Sequence, residues 1–172
     1  MIPEGNRTGR SKTAGTRRGF GDPPGEGSMT HAHVRSALPD AVAVFGLGSM
    51  GAGIARSVQR AGLPVRGYDP SSLSTERFRE RGGVPASSAA EAAWGASVAV
   101  AVVVNADQTE SLLFGPDGIA EALAPGAVFV SCATMDPARA RALAARFEAT
   151  GRHYLDAPMS GGPVRAESGH LS

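Results

Sequence analysis

Three glycines in six residues, Gly46-Leu47-Gly48-Ser49-Met50-Gly51, stand where an apolar run gives way to a helical repeat. They constrain this chain more than any other feature. The run Ala41–Leu47 (AVAVFGL) is short and lacks the polar alternation of a half-exposed strand, which fits a strand covered on both faces. Met50–Ala61 then repeats apolar residues at helical spacing, with Ile54, Val58 and Ala61 on one stripe and Gly62 as a stop. A strand, a glycine turn and a helix in so few residues require the helix to fold back closely against the strand it follows.

The alternation continues along the chain. Leu63–Tyr68 predicts a second strand that ends at Asp69-Pro70, and Leu73–Arg81 a charged amphipathic helix before Gly82-Gly83. A short extended piece near Val84, a helix over Ser88–Trp94 and a central strand over Val98–Val104 come next. Thr109–Phe114 and Gly118–Leu123 read as short helices separated by Gly115-Pro116, and Ala127–Ser131 as another strand. Asp136 is placed to cap a helix over Pro137–Thr150, and Tyr154–Asp156 leads into a loop over Ala157–Pro163. Strands alternating with helices specify an α/β fold, a doubly wound parallel sheet of Rossmann type.

In that setting the hexapeptide has a chemical reading. Gly46 permits the tight turn, Gly48 lacks a Cβ that would obstruct a pyrophosphate, and Gly51 lets helix and strand pack closely. The helix N-terminus offers free amides and a partial positive charge to phosphate, so residues 46–51 are candidate dinucleotide contacts. Asp69 follows Gly51 by 18 residues, at the end of the second strand, where a carboxylate accepts hydrogen bonds from the adenosine ribose hydroxyls. The same charge repels a 2′-phosphate. Arg66 precedes the strand end, and Pro70-Ser71-Ser72 holds no arginine to receive that phosphate, so the expected cofactor is NAD rather than NADP. The bland alternative is a plain tight turn, with Asp69 capping the next helix.

Bulk composition adds limits. A chain of 172 residues holds one domain plus a tail, and a formal charge of +1 with 19% charged residues shows no global pull toward nucleic acid or membrane. No apolar run approaches a membrane span. The lone cysteine, Cys132, allows no intrachain disulfide and no thiolate metal cluster, and it fits a small packed residue in a reduced, cytoplasmic setting. No metal site is expected, and His153 and His170 read as surface residues. Residues 1–39, rich in Gly, Pro, Ser, Thr and Arg, read as a disordered tail, with the domain over 40–172. The tail is either a basic targeting arm or the product of an overlong gene start, with Met29 as the true initiator.

Two separated segments carry a family resemblance. Gly46-Leu47-Gly48-Ser49-Met50-Gly51 with Ala61-Gly62, and Leu155-Asp156-Ala157-Pro158-Met159-Ser160-Gly161-Gly162, together resemble the β-hydroxyacid dehydrogenase (3-hydroxyisobutyrate dehydrogenase-like) family over Val42–Ser172. Val103-Val104-Asn105-Ala106-Asp107-Gln108-Thr109, Leu113-Phe114-Gly115 and Ser131-Cys132-Ala133-Thr134 look most like its L-threonate dehydrogenase branch; relatives like 3-hydroxyisobutyrate dehydrogenase usually show Leu-Pro where this chain has Val104-Asn105.

The resemblance implies that Val104, Asn105 and Thr109 lie beside the cofactor and Thr134 near the nicotinamide. It implies that Ser160, Gly161 and Gly162 form the substrate loop, where a hydroxyl and two amides hold the carboxylate of a small hydroxy acid. Capping competes for Asn105 and Thr109, turn chemistry for Thr134, and a glycine-rich turn for the loop. The expected substrate is L-threonate, with 3-hydroxyisobutyrate and tartronate semialdehyde/glycerate as alternatives. The resemblance also implies homo-oligomeric full-length relatives, a largely helical C-terminal domain and a proton-transfer lysine beyond the substrate loop. Lys12 is the single lysine of this sequence, so the expectation is a truncated, poorly active enzyme, or else a non-catalytic NAD-binding module.

Overall fold

Val42–Phe45 is buried residue after residue, and this places β1 (Val42–Phe45) at the centre of a sheet rather than on its edge. The computed structural model describes residues 41–172; the readings of Met1–Pro39, including the start at Met29, lie outside the described residues. Around β1 stand β2 (Val65–Tyr68), β3 (Val84–Pro85), β4 (Val98–Ala101), β5 (Val128–Ser131) and β6 (His153–Asp156). They form one six-stranded sheet in the order β3-β2-β1-β4-β5-β6, every pair parallel. The helices are α1 (Ser49–Arg60), α2 (Ser72–Glu80), α3 (Ala89–Ala93), α4 (Ala106–Phe114), α5 (Pro137–Glu148) and α6 (Gly162–Ser168). The doubly wound Rossmann-type sheet read from the sequence is the fold.

Residue alternation in β1 divides the core into two layers. Val42 and Val44 face one side with Leu47, Ala55, Val65 and Phe78. Ala43 and Phe45 face the other with Leu113, Ile119, Phe129 and Phe147. Alanines at 43, 99 and 101, all fully buried, leave the room that the large side chains fill. Phe129 stacks tilted on both Phe147 and Tyr154, centroids 5.5 Å apart in each pair, and this fastens α5 and β6 to the sheet.

Four local readings differ from the structure. The strand expected to reach Val104 ends at Ala101, because Asn105 caps α4 and the chain turns to meet that cap. For the same reason α4 begins at Ala106, a turn earlier than Thr109. Gly118–Leu123 forms turns instead of a helix, with the amides of Ala122 and Leu123 both donating to the Ile119 carbonyl at 3.0 and 3.3 Å. The Glu121 and Leu123 carbonyls there are held by the buried Arg152 guanidinium, whose Nη2 donates to Leu123 at 2.6 Å. The loop after β6 carries a helix, α6, that packs on α1; a Cβ on Gly53 would lie 3.0 Å from the Ala166 Cβ, so the two helices touch almost backbone to backbone.

Candidate functional site

In the strand order, the direction of winding reverses between β1 and β4, and crossovers leave in opposite directions there. Such a switch point opens a crevice at the carboxyl ends of the strands. Each exit is pinned to its neighbour: Gly46 N donates to Tyr68 O (2.9 Å), Val102 N to Phe45 O (2.7 Å), Cys132 N to Ala101 O (3.0 Å) and Ala157 N to Ser131 O (2.8 Å). The crevice is a cleft of about 530 Å³ whose walls include Gly46, Gly48, Tyr68, Asp69, Val102–Val104, Gln108 and Leu112. Phe45, Val102–Val104 and Leu112 give it apolar lining, and its polar side chains come from Tyr68 and Asp69 on the β2 side and from Gln108, Ser111 and Asp117 on the other.

The glycine loop is held by backbone geometry. Gly46 has φ +87°, and a Cβ there would meet the Val102 carbonyl oxygen at 2.3 Å. A Cβ on Gly51 would come within 1.7 Å of the Gly46 oxygen, so α1 begins as close to the end of β1 as a chain allows. At Gly48 the space is open, with nothing within 4 Å, and this is the approach a phosphate needs. The first intrahelical bond of α1 is Ala52 N to Gly48 O at 2.9 Å, which leaves the amides before Ala52 free of helical partners. No acidic residue stands in the first turn to compete with an anion. Ser49 is exposed, Met50 half-buried, and Leu47 buried in the core beneath the loop.

Asp69 joins the loop to β2. Its Oδ2 accepts from Leu47 N at 2.7 Å and its Oδ1 from Ser71 N at 2.8 Å. Each oxygen keeps a second lone pair, so the carboxylate orients the glycine loop and still has acceptor capacity for hydroxyls at the cleft rim. Thr75 Oγ1 donates to the Asp69 carbonyl at 3.2 Å, placing the first turn of α2 directly below it. Arg66 points elsewhere: its guanidinium donates to the Trp94 carbonyl.

The loops after β4, β5 and β6 leave the sheet side by side. Val104 is 78% exposed at the cleft wall, and its amide donates to Gln108 Oε1 at 2.9 Å. Asn105 caps α4 through Oδ1, accepting from Gln108 N at 2.9 Å. Thr109 is fully buried and its hydroxyl donates to the Asn105 carbonyl at 3.0 Å; it braces the start of α4 and is not among the residues that line the cleft. Thr134 is exposed beyond β5, just before Asp136, whose Oδ1 accepts from Ala138 N at 2.8 Å to start α5. Ser160 and Gly161 are exposed beyond β6, and Gly162 is the first residue of α6. Ser160 N donates to Ser172 O at 2.6 Å, so the unhindered amides of this loop are those of Gly161 and Gly162. Burial pushes the Cys132 thiol above its ordinary range, in keeping with a packed residue next to a strand end.

A family model described as the NAD binding domain of 6-phosphogluconate dehydrogenase matches residues 41–172. The chain belongs to this family. It is 44% identical over 131 residues to an L-threonate dehydrogenase of Cupriavidus necator, covering 76% of this chain and 44% of that protein. An L-threonate dehydrogenase of Escherichia coli K12 is 38% identical over 132 residues, with the same shares covered. A 3-hydroxyisobutyrate dehydrogenase structure from Salmonella typhimurium superposes with a TM-score of 0.72 at 39% identity, covering 77% of this chain and 46% of that one. The chain thus spans less than half the length of these relatives. The β-hydroxyacid dehydrogenase resemblance and the NAD-binding Rossmann domain both stand on these matches.

In this NAD-binding domain several site residues escaped the sequence reading. Gln108 closes the turn after β4 and faces the cleft, a role that needs the real start of α4 to be known. Arg77 and Arg81 line a groove of about 300 Å³ beside Gly48 and Ser49, and with Ser74 they occupy one face of α2. Arg79 sits on the opposite side of the same helix, in a groove that reaches Asp69. This division could have been read from the sequence, since in a helix Arg77 and Arg81, four residues apart, share a face and Arg79, two from each, falls on the opposite one. Among the described residues, no cluster of three or more His, Cys, Asp or Glu could hold a metal ion, and no helix is long and apolar enough to cross a membrane.

Proposed function

We propose that residues 41–172 are the cofactor-holding part of an NAD-dependent dehydrogenase of small hydroxy acids, with one wall of its substrate pocket. The observation that carries this reading is the row of loops at one end of the sheet. Val104 lines the cleft with Gly46, Gly48 and Asp69, and Asn105, Thr134 and Ser160–Gly162, which are not among its lining residues, follow β4, β5 and β6 at the same end of the sheet. The free amides at the start of α1 suit a pyrophosphate, the open space at Gly48 admits it, and Asp69 suits ribose hydroxyls. NAD, when bound, supplies the hydride acceptor. The Ser160 hydroxyl with the Gly161 and Gly162 amides suits a substrate carboxylate, and Asn105 and Thr109 set the pitch of α4 behind the cleft. L-threonate is the substrate we favour, on the relatives' names, ahead of 3-hydroxyisobutyrate and tartronate semialdehyde/glycerate. With a single cysteine in 172 residues, the cytoplasm is the compartment this reading assigns.

One observation favours a second reading for the 172-residue polypeptide taken alone. It has no lysine after Lys12, and the sequence resemblance implies a lysine for proton transfer. A positioned acid–base group contributes about 10²–10⁴-fold in rate. On this reading the polypeptide binds NAD without appreciable turnover. The test combines calorimetric NAD titration with NADH formation from L-threonate and 3-hydroxyisobutyrate, on tag-free protein. NAD binding with turnover far below roughly 10 s⁻¹ is expected. Turnover near that value would reject the second reading, and failure to bind NAD would reject both.

A further inference from the structure

The cleft does not end at Asp69. Tyr68, Asp69 and Pro70 are shared with a second groove of about 510 Å³, which runs outward between α2 and the turn after β3. Ser72, Thr75, Glu76 and Arg79 line it, and their spacing of three, four and seven residues makes them one face of α2. Opposite stands Glu91 of α3, whose carboxylate accepts from Ser87 N at 2.7 Å. Anything added to the adenosine ribose on the Asp69 side would enter this groove.

Among the described residues, the guanidinium in its walls is that of Arg79, and it is engaged. Arg79 Nη1 forms an ion pair with Glu76 Oε2 on the same helix face. The walls therefore hold three carboxylates, from Asp69, Glu76 and Glu91, against one guanidinium. Arg66 adds some positive charge toward Glu91, but its guanidinium is directed to the Trp94 carbonyl. A dianionic phosphate entering here would meet Asp69 and Glu91 and would have to displace Glu76 from its partner.

Resting on the NAD site proposed above, we infer that Glu76 is a specificity-determining residue. By occupying Arg79, it removes the cation that, among the described residues lining this groove, could accept a 2′-phosphate, and so discriminates against NADP independently of Asp69. The pair is exposed at 55% on both sides, so the guanidinium is free to turn toward a phosphate once Glu76 is neutralised, and neither residue is needed for the core.

The test is titration calorimetry on the full 172-residue chain with NAD, NADP, and the fragments adenosine 5′-monophosphate and adenosine 2′,5′-bisphosphate. The proteins are wild type, Glu76→Gln, Arg79→Gln and the double variant. Glu76→Gln should tighten NADP and the bisphosphate about five- to tenfold and leave NAD and the monophosphate within about twofold, since one exposed charge-assisted contact is gained. Adding Arg79→Gln should erase the gain, and raising salt should shrink it. An unchanged NADP affinity in Glu76→Gln, or a gain that survives in the double variant, overturns the inference while leaving the NAD site intact. Wild-type protein that binds neither NAD nor the monophosphate overturns the site and the inference together.

Discussion

β1 is buried along its whole length, whereas β6 carries one half-buried residue, Tyr154, among three exposed ones. The contrast extends to what each strand delivers. Beyond β1, Gly46 and Gly51 sit where any Cβ would strike main chain, and Asp69, held by the Ser71 amide, ties the loop to β2 through the Leu47 amide. Beyond β6, Ser160 and Gly161 are exposed, and Leu155 and Val164 present apolar surface to solvent. The glycine-loop end is thus over-determined by backbone geometry, and the loop after β6, which we propose as a substrate wall, is held from one side. The pyrophosphate is common to NAD and NADP, so a rigid glycine cradle serves it; substrates differ, and an open loop is where they can be distinguished.

The sharpest way to break that comparison is at Gly51. Gly51→Ala puts a methyl group 1.7 Å from the Gly46 oxygen, a main-chain atom that cannot rotate away. The cost should exceed about 4 kcal/mol, in the class of the most damaging single substitutions. Urea denaturation should show loss of most of the cooperative transition, and calorimetry no NAD binding. Gly161→Ala is the matched change at the other end: its nearest neighbours are the Arg165 side chain at 2.8 Å and a φ of +131°. It should cost only about 1–2 kcal/mol of backbone strain and leave NAD affinity unaltered. Equal damage from both would mean that the two ends are equally rigid.

The same difference explains what could be read in advance. The glycines and Asp69 were legible because steric necessity selects residue type: only glycine tolerates positions 46 and 51, and the strand end dictates where the acid must fall. The doubly wound parallel sheet followed from the alternation of strands and helices. Three things were not legible. The end of β4 at Ala101 depends on Asn105 capping α4, a cap that competes with an uninterrupted valine run. The helix α6 is short and begins with a glycine and a proline after Gly161, so its formation rests on packing against α1 at Gly53, a tertiary contact. Glu76 and Arg79 are ordinary helix-surface residues by sequence, and acquire meaning from the groove they border.

A smaller effect sharpens the comparison at Asp69, where structure and binding are separable. Asp69→Asn keeps an oxygen for the Leu47 amide and removes the charge. We expect a loss of NAD affinity worth about 1.5–3 kcal/mol, the scale of hydrogen bonds to a charged group, or roughly tenfold to a hundredfold in Kd. The thermal midpoint should move by only a few degrees, measured by circular dichroism. A large drop in stability with little change in Kd would instead make Asp69 a structural tether for the glycine loop. Discrimination against NADP should weaken in the same variant, because the repulsion at the ribose is gone.

The smallest expected effect probes the β5–β6 side through pH. Tyr154 packs on Phe129 and Phe147, and its hydroxyl, though it faces Ser131, makes no hydrogen bond; the Ser131 hydroxyl is likewise buried without one. Burial raises the Tyr154 phenol above its ordinary 10.0, the facing Ser131 hydroxyl opposing this and the Asp156 charge adding to it, and burial also raises the Cys132 thiol above 9.0. Both folded values exceed the unfolded ones, so both groups stabilise the fold fully below those ordinary values. That contribution is lost as pH rises through the folded values, because the unfolded chain gives up its protons first. The alkaline limb of stability should therefore fall from about pH 9 upward. Tyr154→Phe removes one of the two titrations together with an unpartnered buried oxygen. At neutral pH it should be neutral or stabilising by up to about 1 kcal/mol, and between about pH 10 and 11 it should lose less stability than wild type. Urea midpoints for both proteins across that range decide the matter: parallel alkaline losses would show that the phenol is solvated when folded, and that the aromatic cluster at β6 is looser than the packing around β1.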